Sequence, residues 1–317
     1  MKYFILLFVA TLTLFQLSSC QLSESYYNLS CPNLEPIIQS EFRKLFFLNP
    51  TAPAALLRLL FHDCMVRGCD ASVLLDFDNS EIKSAKNYAI RMQDTIGEIK
   101  LLVEDDCPGV VSCADLIVLA ARESVIQTGG PRIQVPLGRK DSTNITTSLD
   151  ADAKIPPPSQ KVDDFISDFT SKGMSIEEAV AILGGHTLGV GHCKNIVGRL
   201  NDPAQWNPTD FVYETILRIR CPLDNDFYNS VPAVPLDLTP VCFDNQYYTD
   251  ILGGRGVFGI DSMVAKDPRT LPFVTNFSQD QNHFFEVFSS AFIKLATADV
   301  LTDGQGEVRA ICSKFNN

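Results

Sequence analysis

The chain has 317 residues, 45% of them hydrophobic and 20% charged, a balance that belongs to a globular protein and not to a disordered or fibrous one. Its net charge of −12 argues against phosphate-backbone or anionic-membrane binding as a main function, and no basic patch or stacking module offsets it. The length suits one large domain or two moderate ones, with ample surface to bury a core.

Lys2 precedes an apolar run from Tyr3 to Leu17, and Ser18-Ser19-Cys20 supplies small residues for cleavage. This is the pattern of a secretory signal over residues 1–20, with a mature chain starting at Gln21. The run is short and no stop-transfer pattern follows, which disfavours a membrane anchor; no later stretch is apolar enough to span a bilayer. Apolar residues three and four apart predict helices over Glu35–Phe47, Ala54–His62, Ala89–Val103, Ser112–Val125, Val162–Ser171 and Phe284–Leu295. Ser175 and Glu178 form a capping box that opens a further helix towards Leu183. Gly184-Gly185 ends it, which puts His186 at or just past a helix terminus. Pro131–Pro136, Pro156–Pro158 and Pro232–Pro240 read as loops, and strand signals are few and short. The expectation is a mainly α-helical globule over residues 21–317, without a clear linker.

Ten cysteines fit an oxidising compartment. Cys20 leaves with the signal, and eight of the remaining nine could form four bridges, although spacing does not choose among the connectivities. A zinc site is disfavoured because no pair shows the tight C-x2-C spacing. Asn28, Asn144 and Asn276 lie in glycosylation sequons, whereas Asn207 is followed by proline and is excluded.

Only four histidines exist: His62, His186, His192 and His283. Arg58 and His62 are four apart on a predicted helix and so share a face. A permanent cation beside an imidazole that can take and give protons suits acid–base chemistry on a small polar substrate. Taken alone, the pair reads better as a helix face with a surface arginine and a satisfied histidine.

Its surroundings reverse that. The run from Arg58-Leu59-Leu60-Phe61-His62-Asp63-Cys64 through Gly68-Cys69-Asp70-Ala71-Ser72 resembles the distal haem signature of class III plant peroxidases, the secretory horseradish-type family. Gly185-His186-Thr187-Leu188-Gly189 ahead of Cys193 is similar to that family's proximal motif. So are Val111-Ser112-Cys113-Ala114-Asp115, Pro136-Leu137-Gly138-Arg139, and Phe243-Asp244-Asn245 with Tyr247-Tyr248. The similarity runs in order from Gln21 to Cys312.

The resemblance implies the haem peroxidase fold, with haem b between distal and proximal halves and Phe61 in the haem pocket. It implies that His186 ligates the iron and donates its other ring nitrogen to Asp261, in Phe258-Gly259-Ile260-Asp261. His62 would move a proton between the two oxygens of hydrogen peroxide, and Arg58 would stabilise the charge that develops. Asn87 would accept a hydrogen bond from His62, although Arg91-Met92-Gln93 stands where the family commonly has Arg-Gly-Phe. A first Ca2+ is implied at Asp63, Val66, Gly68, Asp70 and Ser72, with Glu81 acting through water; spacing alone would equally suit a solvated acidic loop. A second is implied at Thr187, Asp237, Thr239 and Asp244. Here the chain departs from a common pattern: Asp237 lies two residues before Thr239, and Leu236 fills the slot three before.

The implied bridges are Cys31–Cys107, Cys64–Cys69, Cys113–Cys312 and Cys193–Cys221, leaving Cys242 between Val241 and Phe243 as a buried, inert thiol. Asp115 and Arg139 resemble a buried structural ion pair, while His192 and His283 have no counterpart and read as surface or satisfied residues. The expected substrates are hydrogen peroxide and small phenolic donors, with Pro156 at the donor-access rim. Met65, Leu188 and Asn195 depart from positions often aromatic, so the physiological donor stays open between monolignols, other phenols and indoles. The competing readings are a non-catalytic secreted haem or calcium protein of the same fold, and a wall-binding module. The complete set of Arg58, His62, Asn87, His186 and Asp261 argues against the first, and an acidic chain without an extra domain against the second. A monomer in the extracellular space or cell wall is expected, since five residues follow Cys312 without a vacuolar-type extension.

Overall fold

The computed structural model describes residues 22–201, 211–222 and 233–316. The signal segment, Gln21 and Pro232 lie outside them. Thirteen α-helices occur among the described residues: α1 Leu34–Leu48, α2 Ala52–Val66, α3 Gln93–Asp106, α4 Cys113–Gln127, α5 Ser148–Lys154, α6 Val162–Ser171, α7 Ile176–Leu183, α8 Val197–Asn201, α9 Phe211–Arg220, α10 Gln246–Leu252, α11 Gly259–Val264, α12 Leu271–Gln279 and α13 Gln281–Thr297. The strands β1 Val190–His192 and β2 Ala233–Pro235 pair antiparallel, with Gly191 opposite Val234. Thus the segment read as a loop from Pro232 to Pro240 carries a short strand, because its backbone closes the ladder that follows the His186 turn. The fold is mainly α, as expected.

Helix α4 is the central post. Thirteen of its 15 residues are buried, and a helix buried on every side must be surrounded by others. Helix α2 packs along it, and α1 and α3 flank it. Helix α13 covers α7, the helix that leads into His186. The predicted bounds hold for Val162–Ser171 and for the capped helix ending at Leu183, where a 3-10 turn, Gly184–Thr187, carries the chain on through His186. The helix expected from Ala89 starts instead at Gln93, because Ala89 and Met92 have φ of 61° and 79°. Left-handed backbone at a non-glycine residue is strained and cannot continue an α-helix. Met92 occupies the position where the related pattern commonly has glycine, so this turn is kept without the residue that favours it.

Two features lock the layers. Arg139 and Asp115 are both fully buried and pair at 2.7 Å, with the Tyr27 hydroxyl and the Gly138 amide donating to the other carboxylate oxygen, each at 2.7 Å. Burial and the Asp115 charge push the Tyr27 phenol far up, so it remains a donor. The four disulfides pair as Cys31–Cys107, Cys64–Cys69, Cys113–Cys312 and Cys193–Cys221. The third spans 199 residues, which in the chain-entropy account corresponds to about 5 kcal/mol. Cys242 corrects an expectation: it is exposed, not buried. Phe243 takes the inward position at 1% exposure, while Val241 and Cys242 both face outward.

Glu178 fastens α7 in place. Its carboxylate accepts from the Ser175 amide, from Lys294 Nζ and from Ser290 Oγ, each at 2.7 Å, joining the helix cap to α13. Burial raises its pKa, but Lys294 and these donors outweigh burial and hold it at about 2. A depressed carboxylate contributes stability above its unfolded pKa, and that contribution is lost as pH falls towards the folded one. Glu178→Gln is therefore expected to cost about 1 kcal/mol at neutral pH, the scale of a screened charged hydrogen bond. The deficit should shrink between pH 4.5 and 2 in urea denaturation; a pH-independent deficit would rule out the charge as its source.

Candidate active site

On the α2 side, Arg58 and His62 share a face, and His62 is only 6% exposed. His62 Nδ1 lies 2.6 Å from Asn87 Oδ1, and Asn87 Nδ2 donates to the Glu81 carbonyl at 2.6 Å. The second bond orients the amide, so Asn87 offers its oxygen to His62 and Nδ1 must carry the proton. Nε2 is then the basic nitrogen, and it accepts from Arg58 Nε at 3.1 Å. Burial first, then the Arg58 charge, push His62 down to about 3 against the pull of the Asn87 bond, which leaves a neutral base at neutral pH. Burial lowers Arg58 to about 10, so it stays a cation.

On the other side, His186 Nδ1 donates to Asp261 Oδ1 at 3.0 Å. Asp261, 1% exposed on α11, also accepts from the Tyr247 hydroxyl at 2.9 Å and, through Oδ2, from the Phe258 amide at 2.8 Å. His186 Nε2 has no hydrogen bond among the described residues. The His186 turn abuts α2: a Cβ on Gly185 would meet Leu57 Cδ2 at 3.3 Å, and one on Gly189 would meet Ala54 Cβ at 2.7 Å. Gly189 also has φ of 97°, so a side chain there is excluded twice.

Oxygen clusters adjoin both histidines. Asp63, next to His62, is fully buried, and burial together with the Asp70 and Glu81 charges raises its pKa well above the usual range. Both Glu81 carboxylate oxygens and Ser72 Oγ are buried without a hydrogen-bond partner. Burial lifts Glu81 to about 7, although the nearby Thr146 and Ser72 hydroxyls pull it down without reaching bonding geometry. Val66 ends α2 and Gly68 follows it at φ 110°, where a Cβ would strike the Asp299 carbonyl at 2.0 Å. On the His186 side, Thr187 Oγ1 lies 2.6 Å from Asp237 Oδ2 and 3.2 Å from Asp244 Oδ1, and Thr239 Oγ1 lies 3.0 Å from Asp244 Oδ1. Asp237, displaced by one place in sequence, still reaches the cluster, and burial raises it to about 6.

Phe61 is half-buried, with its ring against Phe169 and edge-on to His62. Pro156 is half-buried, next to fully covered Ile155. His283 is satisfied, 2.8 Å from Glu177 Oε1. His192 is not: its Nδ1 is buried without a partner, and burial, Arg58 and Arg91 lower its pKa. It belongs to the edge of the Arg58 site. Two more residues of the site carry no role in the sequence reading. Tyr247 was visible only as part of a motif, and Lys86, whose carbonyl accepts from Arg58 Nη2 at 3.3 Å, gave no signal.

A helical fold around a neutral buried base, a paired cation and a carboxylate-oriented imidazole with one nitrogen free defines a peroxidase-type active site. The family model described as Peroxidase matches residues 38–280. The chain is 49% identical to Peroxidase 29 of Arabidopsis thaliana over 93% of its length and 89% of the relative's. It is 39% identical to Peroxidase 57 and 37% to Peroxidase 28 of the same plant, each over 96% of this chain and at least 95% of the relative. The chain belongs to the peroxidase family, in the class III plant group, and is a peroxidase enzyme. No helix among the described residues is long and apolar enough to cross a membrane.

Tyr247 shares Asp261 Oδ1 with His186, so Tyr247→Phe leaves that buried oxygen with a single donor. Its unfolding stability in urea is expected to drop by about 1–2 kcal/mol; an unchanged midpoint would show that the hydroxyl is not needed to hold Asp261.

Proposed function

We propose that this peroxidase holds haem b between α2 and the His186 turn, with His186 Nε2 on the iron, and uses it to reduce hydrogen peroxide and oxidise phenolic donors. The observation that carries the reading is that both imidazoles are pinned through Nδ1, one by an amide and one by a carboxylate, which frees Nε2 on each. A neutral imidazole oriented by a carboxylate is a strong iron ligand. Arg91, His192 and Lys194, whose Nζ lies 4.5 Å over the Tyr88 ring beside His192, suit a cofactor that carries carboxylates. Haem iron, when bound, supplies the two-electron reduction of peroxide and the one-electron oxidations that follow.

The protein's part is proton and charge management. His62 Nε2 takes the proton from one peroxide oxygen and returns it to the other, which leaves as water. The Arg58 guanidinium stabilises negative charge as the O–O bond breaks. Two phenols each then lose one electron and one proton, so one peroxide and two phenols give two waters and two phenoxyl radicals. Donors meet the cofactor at the rim formed by Pro156. The alternative of a non-catalytic relative has no observation in its favour.

The oxygen clusters fit Ca2+, which takes six to eight hard ligands. The first ion would use Asp63, Val66, Gly68, Asp70 and Ser72, with Glu81 through water; the orphaned Glu81 and Ser72 oxygens support it. The second would use Thr187, Asp237, Thr239 and Asp244. We further propose a secreted monomer, removed from its signal at residue 20. Asn28, Asn144 and Asn276 are all exposed, as glycan acceptors must be.

His62→Ala is expected to retain haem yet slow the absorbance change on mixing with hydrogen peroxide by about a hundred- to ten-thousandfold. A wild-type rate in stopped flow would sink the role of His62. Stripping calcium with a chelator should lower the melting temperature and perturb the haem absorption band, since each cluster adjoins a site histidine. Melting and spectrum both unmoved would rule the calcium sites out.

A further inference from the structure

Lys86 sits where the two halves of the site meet the surface. Its amide donates to Ser84 Oγ at 3.0 Å, its carbonyl holds Arg58, and the next residue is Asn87. Its ammonium donates to the Ile155 carbonyl at 2.5 Å, immediately before Pro156. The strap continues to Pro158, whose carbonyl accepts from the Ile260 amide at 3.1 Å, one residue before Asp261. Lys86 is therefore the side chain that ties the Asn87 loop to the rim.

It is also a cation without an acid. Lys83, Lys100, Lys140 and Lys294 each pair with a carboxylate, as a chain of net charge −12 readily allows. Lys86 makes no such pair among the described residues, and Asp152, on the helix that leads into Ile155, accepts from the Ser84 hydroxyl instead. The group bound to the Lys86 backbone carbonyl is the Arg58 guanidinium, again positive. An ammonium has three donors, and one is used. It is half-buried, so its charge is screened less than one in open solvent.

We propose that Lys86 is a specificity-determining residue that favours phenolic donors bearing a carboxylate over their uncharged counterparts. The proposal rests on the donor rim of the peroxidase reading and adds the class of donor: the phenol hydroxyl turns to the cofactor and the carboxylate to the Lys86 ammonium.

The test compares 3-(4-hydroxyphenyl)propionic acid with its methyl ester, which share the same ring, as donors for the haem-loaded enzyme at pH 7. The wild type should prefer the acid by about threefold to tenfold in kcat/KM, the range of a partly screened ion pair. Binding measured without peroxide, from donor-induced absorbance changes, should show the same order of Kd. Lys86→Arg should keep the preference, Lys86→Met should bring the ratio near one, and Lys86→Glu should invert it. An unchanged ratio in Lys86→Met overturns the proposal. So does an equal fall for acid and ester, which would make Lys86 a brace for the strap. If the wild type oxidised neither donor with peroxide, the peroxidase reading itself would fail, an outcome separate from a wild type that oxidises both without preference.

Discussion

The site depends on how each imidazole is held. Both are fixed through Nδ1, and the nature of the acceptor divides their work. Asn87 is neutral, so it sets the tautomer of His62 without favouring its protonated form strongly, and burial with Arg58 keeps the ring a free base. Asp261 is a buried carboxylate, which orients the His186 ring through Nδ1 and leaves Nε2 for the iron of the proposed cofactor.

Each acceptor is held in turn by distant parts of the chain. Glu81 presents its carbonyl to Asn87 and its carboxylate to the Asp63 cluster, so any cation there also steadies the tautomer of His62. Asp261 is fixed by Tyr247 from α10 and by the Phe258 amide at the start of α11. Thr187, the neighbour of His186, is tied to Asp237 and Asp244. The oxygen clusters are thus mechanical parts of the site, with one beside each ring.

The donor side is built differently. A strap from Ile155 to Pro158 spans both halves, held by Lys86 at one end and Ile260 at the other. In the reading proposed above this strap is the edge that donors meet, and Lys86 places a positive charge on it. Leaving Lys86 without a carboxylate partner among the described residues costs little stability, because exposed ion pairs contribute little to folding.

The sequence by itself determined the helical class, the capped helix into His186, and the shared helix face of Arg58 and His62, because helical period and capping are local properties. It also carried the motif blocks and, through resemblance, the four disulfide pairs. It misjudged Cys242, His192 and the start of α3, where the outcome depended on which way a loop turned or on a left-handed residue such as Met92. Only the tertiary structure decided that Asn87 Nδ2 reaches the Glu81 carbonyl, that Tyr247 shares the oxygen of Asp261, and that Lys86 reaches across to Ile155. The last two join residues 14 and 69 positions apart, in contacts that no short-range pattern encodes. Spacing can place two side chains on one face of a helix, but which atom receives which hydrogen bond is settled only when separate segments are packed together.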